Sequence, residues 1–303
     1  MAWYRRALVT ALAFLVVAVL PFSAAAQPRY DTLRVIAFGA HPDDCELDAG
    51  GVAAKWAQRG AEVKFVSTTN GDIGHFKMAG GPLARRREQE VQKCADIFGV
   101  ETEVLDIHDG ELMPTLENRK TFVRLIREWN ADIVLSHRPY DYHPDHRYTG
   151  ELAHDAAVMV VAKNFMPLTE ALDQNPIFLH MEDGFEKPYP FQPDIVVGFD
   201  QVAEKKWQCV HSMPSQFGDA GSWQAQTNPK VPDDPEARQQ FLVNTVKEES
   251  AGVADEFRDR LVELYGEERA QEIEYAEAFE LGQYGRQVSI ERLKELFPTG
   301  PGN

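Results

Sequence analysis

The apolar positions of this chain fall into short blocks rich in β-formers, alternating with longer segments of helical spacing. Residues 33–38, 63–68 and 133–136 are runs of strand length dominated by Val, Ile, Leu and Phe, and 103–105 is a shorter one. Between them, residues 48–59, 83–98, 116–129 and 149–162 repeat apolar side chains every three or four positions, and Gly99 ends the second of these helices. Strands alternating with helices of this length predict βαβ units and a parallel sheet. Right-handed crossovers then give a twisted, doubly wound arrangement. Blocks at 177–181 and 194–199 predict two further strands, and 201–211 a helix. Residues 212–234, rich in Ser, Gly, Pro and Asn, predict a long surface loop, and the charged stretch 235–296 predicts helices. No internal repeat or low-complexity segment interrupts the pattern. The expected architecture is therefore α/β: a Rossmann-like, doubly wound, mostly parallel sheet flanked by helices, with a helical C-terminal extension.

The first residues stand apart from this pattern. Arg5 and Arg6 precede an apolar run, residues 7–20, and Pro21 and Ser23-Ala24-Ala25-Ala26 follow it. That order predicts a signal peptide cleaved after Ala26, and the run is too short to cross a bilayer comfortably. The mature chain is expected to be periplasmic or secreted, with no stable membrane insertion. The expected division is a signal peptide (1–26), a Rossmann-like domain (27–212), and a loop and helical extension (213–303) packed on the same domain. An apolar share of 44% is enough for a sizeable core. Losing Arg5 and Arg6 takes the formal net charge from −17 to −19. So acidic a surface repels nucleic acid and anionic membranes, and suits a divalent cation with a neutral or cationic small molecule. Cys45, Cys94 and Cys209 are too few and too scattered for a disulfide framework, and an odd count leaves at least one thiol unpaired.

Two segments concentrate the candidate chemistry. His41-Pro42-Asp43-Asp44-Cys45-Glu46 follows the first strand, and Tyr142-His143-Pro144-Asp145-His146 follows the fourth. Where the strand order of a doubly wound sheet reverses at strand one, strands one and four are neighbours. Ligands bind in the crevice beyond their C-terminal ends, so two loops far apart in sequence converge on one point. Three His or Asp ligands with an open position are the coordination of a catalytic zinc, and the same donors do not exclude Fe²⁺, Mn²⁺ or Co²⁺. Either segment alone would read equally well as an Asx-turn loop with solvated histidines.

These two motifs, His41-Pro42-Asp43-Asp44 with Glu46 and His143-Pro144-Asp145-His146, resemble those of the PIG-L / LmbE-like deacetylases. Those are zinc enzymes that remove acetyl groups from N-acetylglucosamine-containing molecules. Thr69-Asn70-Gly71, Asp109-Gly110 and Arg87-x-x-Glu90 ahead of Phe98-Gly99 add to the likeness, although the family usually has Leu-Gly at the last position. The resemblance implies that His41, Asp44 and His146 bind the metal and that Asp43 is the general base. It makes His143 the group that stabilises the oxyanion or protonates the leaving amine, with Asp145 holding the tautomer and charge of His143. Arg87 and Asp109 would lie at the pocket rim and hydrogen-bond sugar hydroxyls, while a surface pair with Glu90 is the plainer reading of Arg87. His75 and Lys77 could shape the pocket mouth. His137 and His154 fit structural roles at least as well, and the segment from His211 to Gln216 loosely resembles a His-x-Ser-Gln element with an insertion. The implied function is an exported N-deacetylase acting on a small N-acetylated amino sugar or its glycoconjugate. A metal-dependent amidase for a non-sugar amide and a catalytically silent glycan-binding protein stay open beside it. A phosphoesterase fits worse, for want of a second ligand cluster.

Overall fold

The computed structural model describes Tyr30 and residues 32–300, so the predicted signal peptide lies outside the described residues. The first half alternates as expected: β1 (Arg34–Gly39), α1 (Asp44–Asp48), α2 (Gly50–Gln58), β2 (Glu62–Ser67), α3 (Gly81–Phe98), β3 (Glu101–Val104), α4 (Leu116–Trp129), β4 (Ile133–Ser136) and α5 (Pro144–Met159). Then follow β5 (Ile177–Met181), β6 (Ile195–Gly198), α6 (Ala203–His211), α7 (Pro214–Phe217), α8 (Trp223–Thr227), α9 (Pro235–Glu256), α10 (Arg258–Tyr265), α11 (Glu267–Glu272), β7 (Ala276–Gly285) and α12 (Ile290–Leu296). The seven strands form one sheet in the order β3-β2-β1-β4-β5-β7-β6. The first five pair in parallel, with β1 between β2 and β4. That is the order reversal at β1 which brings its C-terminal end beside that of β4.

Helices cover both faces, and each face has its own core. Trp56, Phe65, Phe98 and Phe199 pack on one side. Phe38, Phe122, Ile126 and Leu152 pack on the other, with Phe38 and Phe122 stacked at 4.4 Å. A strand covered on both sides reads as a continuous apolar run, which is why β1 and β4 were visible in sequence. Among the described residues no helix is long and apolar enough to cross a membrane.

Several expectations need correction. An additional short helix, α1, precedes the first predicted helix, which is α2; β3 starts two residues early, and the predicted loop at 212–234 contains α7 and α8. The helix expected from 149 begins at Pro144, in the first-turn position that proline favours, with His143 as its cap. His146 therefore stands on a helix and not in a loop. The C-terminal region is not wholly helical, because it contributes β7, which pairs antiparallel with both β5 and β6. The cysteine pairing that the sequence left open is one disulfide, between Cys94 on α3 and Cys209 on α6 with Cα atoms 4.7 Å apart, and Cys45 is the unpaired thiol that the odd count required.

The charge that disguised β7 as helix has a structural use. Glu277 is only 4% exposed and accepts the N–H groups of Gly51 (2.8 Å) and Val52 (2.7 Å) at the start of α2. Lys206 Nζ, also buried, donates to it at 2.8 Å. A carboxylate at a helix N-terminus with a cation beside it satisfies every charge it buries. Glu277→Ala would remove the hydrogen-bonded partner of Lys206 and leave two N–H groups of α2 without their acceptor, so a loss of about 3–5 kcal/mol is expected in urea unfolding. Glu277→Gln, which keeps an acceptor for the helix, should fall between that variant and the wild type.

Candidate metal centre

The turn after β1 is built around one carboxylate. Asp44 Oδ2 accepts the N–H of Ala40 at 2.7 Å and of His41 at 2.8 Å, which folds the chain back and starts α1. From the neighbouring strand, α5 lies close over the backbone that follows β4. Gly150 allows that approach: a Cβ there would sit 2.6 Å from the His137 carbonyl oxygen. His146, in the first turn of α5, is thereby held over the β1 turn. His41 Nδ1 and His146 Nε2 are 3.2 Å apart, and each is 3.6 Å from Asp44 Oδ2. Tetrahedral zinc with bonds of about 2.0–2.1 Å would separate its ligands by about 3.3–3.4 Å, so this triangle has the right size.

The protonation of the rings points the same way. Asp141 Oδ2 lies 3.1 Å from His146 Nδ1 and accepts the hydrogen bond of its N–H, leaving a lone pair on Nε2. Asp109 Oδ1 (3.2 Å) and Asp145 Oδ2 (3.5 Å) approach His41 Nε2, close to both but aligned with neither. They favour a proton there and a lone pair on Nδ1. Two neutral rings thus turn lone pairs toward each other and toward a carboxylate oxygen. Such a donor set asks for a cation. Without one the site gathers protons: burial disfavours charge on His41, but Asp109, Asp145 and Asp44 outweigh it and hold its pKa well above the ordinary value. His146 is raised likewise, burial being outweighed by Asp44 and Asp141. A divalent ion would replace those protons. The residues present therefore fit a metal.

Of the other predicted residues, Asp43 lies beside the triangle. Burial first, and then the charge of Asp44, push its pKa up, while Arg87, His41 and Gln216 oppose the shift. Gln216 on α7 donates to Asp43 Oδ2 at 2.5 Å. His143 stands edge-on to His41, ring centres 4.6 Å apart. Its Nδ1 accepts the backbone N–H of Asp145 (3.3 Å), so the neutral ring carries its proton on Nε2. The tautomer of His143 is thus set by a cap bond from the Asp145 backbone, not by the Asp145 carboxylate as expected. That carboxylate is fully buried and instead accepts the N–H of Gly110 (2.6 Å) and Leu112 (3.2 Å). Asp109, expected at the rim, is buried against His41.

Arg87 is neither a surface partner of Glu90 nor an exposed rim group. It is 2% exposed, beneath the loop after β2, where it donates to the Gly74 carbonyl at 3.0 Å. Gly71 in that loop has φ +65°, and a Cβ there would lie 2.4 Å from Arg87 Nη1. Glu90 pairs with Arg86 at 2.9 Å and accepts from the hydroxyl of Ser215. His75 is part of the same wall: its Nδ1 accepts the N–H of Lys77 (3.1 Å) and of Met78 (3.0 Å). Lys77 itself adds only its backbone to that turn.

Three residues named in the sequence were given no role in the site. Gln216 was signalled only by the interrupted His-x-Ser-Gln element. His137 stacks on His146 at 4.2 Å and places Nε2 3.1 Å from Asp44 Oδ2, and its one signal was its place directly after β4. Glu46 is buried, and desolvation, with the charges of Asp43 and Asp44 adding to it, pushes its pKa up to about 8. Behind His137, His180 Nδ1 donates to the His137 carbonyl (3.0 Å), and His180 Nε2 accepts from the Tyr284 hydroxyl (3.0 Å).

Residues 36–157 match the PIG-L family model, described as GlcNAc-PI de-N-acetylase. The diacetylchitobiose deacetylase of Thermococcus kodakarensis is 35% identical over 199 residues, 63% of this chain and 73% of the relative. Among solved structures, the N,N'-diacetylchitobiose deacetylase of Pyrococcus horikoshii, complexed with its inhibitor MPG, superposes with a TM-score of 0.62 at 24% identity, covering 82% of this chain and 83% of that one. The 4-carboxy-2-hydroxymuconate hydratase GalB of Pseudomonas putida KT2440 superposes with a TM-score of 0.67 at 20% identity, covering 85% and 99%. Likeness at that level of identity is likeness of fold.

Two outcomes are expected from this geometry. Protein loaded with zinc and desalted should retain one ion per chain by elemental analysis, and Asp44→Ala should lose it. His180 supplies a pH test: burial chiefly, with Arg138 and His154 adding to it, lowers its pKa to about 4. The unfolded chain takes that proton near pH 6.5 and the folded chain only near 4, so stability falls as pH drops through this window, by up to about 3 kcal/mol. Urea unfolding of His180→Asn at pH 7 and pH 4.5 should show a shallower loss than the wild type does.

Proposed function

This chain belongs to the PIG-L family of amide-hydrolysing deacetylases, and from that membership we propose that it removes the acetyl group of an N-acetylated amino sugar at a divalent metal held by His41, Asp44 and His146. The observation that carries the metal is the convergence of two imidazole lone pairs and a buried carboxylate oxygen on one point, with Asp43 alongside. The likeness to a deacetylase of diacetylchitobiose supports the substrate class, and the acidic surface suits a neutral sugar. Zinc is the first candidate on its preference for mixed nitrogen and oxygen donors.

When bound, the ion supplies positive charge that acidifies a water and polarises the acetamide carbonyl. The rest falls to the side chains. Asp43, held by Gln216, takes the proton of the attacking water, and its raised pKa makes it a better base than a solvated aspartate. His143 offers its Nε2–H to the carbonyl oxygen as negative charge builds there, and the proton that Asp43 took from the water is the one the departing amine receives as the C–N bond breaks. Asp109 and Asp145 orient His41, and Asp141 orients His146. Arg87 acts from beneath, by holding the loop that walls the pocket.

Export is part of the same reading. Residues 1–26 have the pattern of a cleaved leader, and a Cys94–Cys209 disulfide is of the kind that persists in oxidising compartments. We place the mature protein in the periplasm or outside the cell. Mass spectrometry of the exported product should find an N-terminus near Gln27 and one reactive thiol after denaturation without reductant.

The central test is amine release from N-acetylglucosamine and small chitooligosaccharides by the metal-loaded protein. The wild type should be active, and Asp43→Ala should lower kcat by roughly 10²–10⁴-fold with metal content unchanged. Metal without amine release would move the reaction to another amide. No bound metal would sink the mechanism and favour a glycan-binding protein.

A further inference from the structure

A cavity of about 380 Å³ opens between α1, α9 and β7, and none of the residues placed in the metal centre lines it. Its size is within the ~300–1,000 Å³ of small-molecule sites. We propose that it binds an aliphatic polyamine, a chain of methylenes carrying two or more ammonium groups.

The lining is acidic beyond what its own cation can balance. Asp48 at the end of α1, Glu182 directly after β5, and Glu249 and Glu256 on α9 all face the cavity. Their carboxylates have no hydrogen-bond or ion-pair partner among the described residues. Glu277, the fifth acid of the lining, differs in holding Lys206 and two N–H groups of α2. Lys206 brings no free charge, because its Nζ is bound to Glu277 at 2.8 Å and lies 4.6 Å from the centre of the Phe199 ring. Crowding of like charge shows in Glu182. Burial first, and then Asp183 and Glu256, push its pKa up to about 7 against the attraction of Arg138.

Acids at a surface need no ligand, but a buried neutral group faces the same space. Ser250 is 6% exposed and lines the cavity, and its hydroxyl has no hydrogen-bond partner among the described residues. A hydroxyl inside a helix commonly bonds back to the preceding turn, as Thr245 does to the Phe241 carbonyl at 3.1 Å. The Ser250 hydroxyl is left to accept an N–H from within the cavity. Two residues on, Gly252 also lines it, and a Cβ there would meet nothing within 4 Å. Glycine weakens a helix, and no neighbour excludes a side chain here, so its effect is to keep this wall low.

The form of the lining selects an extended cation. Val246, Glu249, Ser250, Val253 and Glu256 recur every three or four residues, so one face of α9 makes a long wall. Val246 and Val253 are seven residues apart, as are Glu249 and Glu256, which is about 10.5 Å along the helix axis. Methylenes can lie along the valines and Leu47 while ammonium groups meet carboxylates spaced beside them. A single small ion would need its ligands gathered about one point. Among the described residues, the groups of three or more acids and histidines with ligand atoms within 4.8 Å of one another are all at the metal centre. The net charge of −17 draws a polycation toward the protein and repels an anion.

The test is calorimetric titration of the zinc-loaded protein with spermidine, and in parallel with magnesium chloride. Zinc keeps the donors of the metal centre occupied. Spermidine should saturate at one molecule per chain. The double variant Glu249→Gln/Glu256→Gln and the single variant Glu182→Gln should each weaken it by about tenfold or more. Glu249 and Glu256 are exposed, so their replacement leaves the core intact, and thermal melts check that every variant folds. The control Glu267→Gln/Glu268→Gln removes two exposed charges on α11, away from the cavity, and should leave the affinity unchanged. Spermidine should also raise the Tm of the wild type and not that of the Glu249→Gln/Glu256→Gln variant. A titration that does not saturate, or an affinity unchanged in either cavity variant, would overturn the proposal, the second by putting the amine elsewhere. An equal loss in the control would reduce the effect to net charge and overturn it too. So would magnesium that binds as tightly as spermidine, since a point ion would then suffice.

Discussion

The site depends on the Asp44 carboxylate. One of its oxygens receives two backbone N–H groups at the end of β1 and faces three imidazoles, those of His41, His137 and His146. Burial would by itself favour the neutral acid, yet His146, His137 and His41 bring the pKa well below the ordinary value. The group stays ionised because its surroundings are arranged around its charge. The same oxygen thus closes the turn that begins α1, aims the His41 ring and supplies the negative charge that a cation would meet. A turn without that acceptor would leave the His41 N–H unpaired and the Ala40 N–H with only its longer bond to His137 Nε2 (3.2 Å), and neither His41 nor Asp43 would be held where it is.

What places the second half of the site opposite this turn is strand pairing. Parallel alignment of β1 with β4 sets Phe38 level with Ser136, so both chains leave the sheet at the same height. The segments that follow, each a loop running into the first turn of a helix, carry most of the polar residues of the cleft. A hydratase shares this fold as closely as a deacetylase does. The sheet accordingly says where a site lies, and only the side chains on its loops say what the site does.

Legibility followed the same division. β1 and β4 are buried on both faces and announce themselves as apolar runs, and the two His/Asp motifs could be read because each directly follows such a run. β7 could not: Glu277 and Glu280 give it helical charge, and only the approach of α2 and Lys206 makes a buried glutamate tolerable there. The start of α5 was legible and missed, since Pro144 after His143 is a helix-start signal that the loop motif obscured. The Cys94–Cys209 pair and the contact of Gln216 with Asp43 join elements distant in sequence, and no local pattern encodes such a contact.

The cleft assembles several carboxylates within a small space, and their environments separate their roles. Asp44, Asp109 and Asp141 all lie below the ordinary range, each overcoming its burial through adjacent histidines. These carboxylates remain charged, as ligation and the orientation of ligating rings require. Asp43 is displaced the other way, because burial and the neighbouring Asp44 outweigh the help it receives from Arg87, His41 and Gln216. Residues adjacent in sequence are thereby driven apart in proton affinity, the pattern by which paired acids divide their work. In the proposed mechanism the carboxylate with the greater affinity for a proton is the one that must accept it, and Gln216 matters because it holds that carboxylate in place without adding a charge that would cancel the difference.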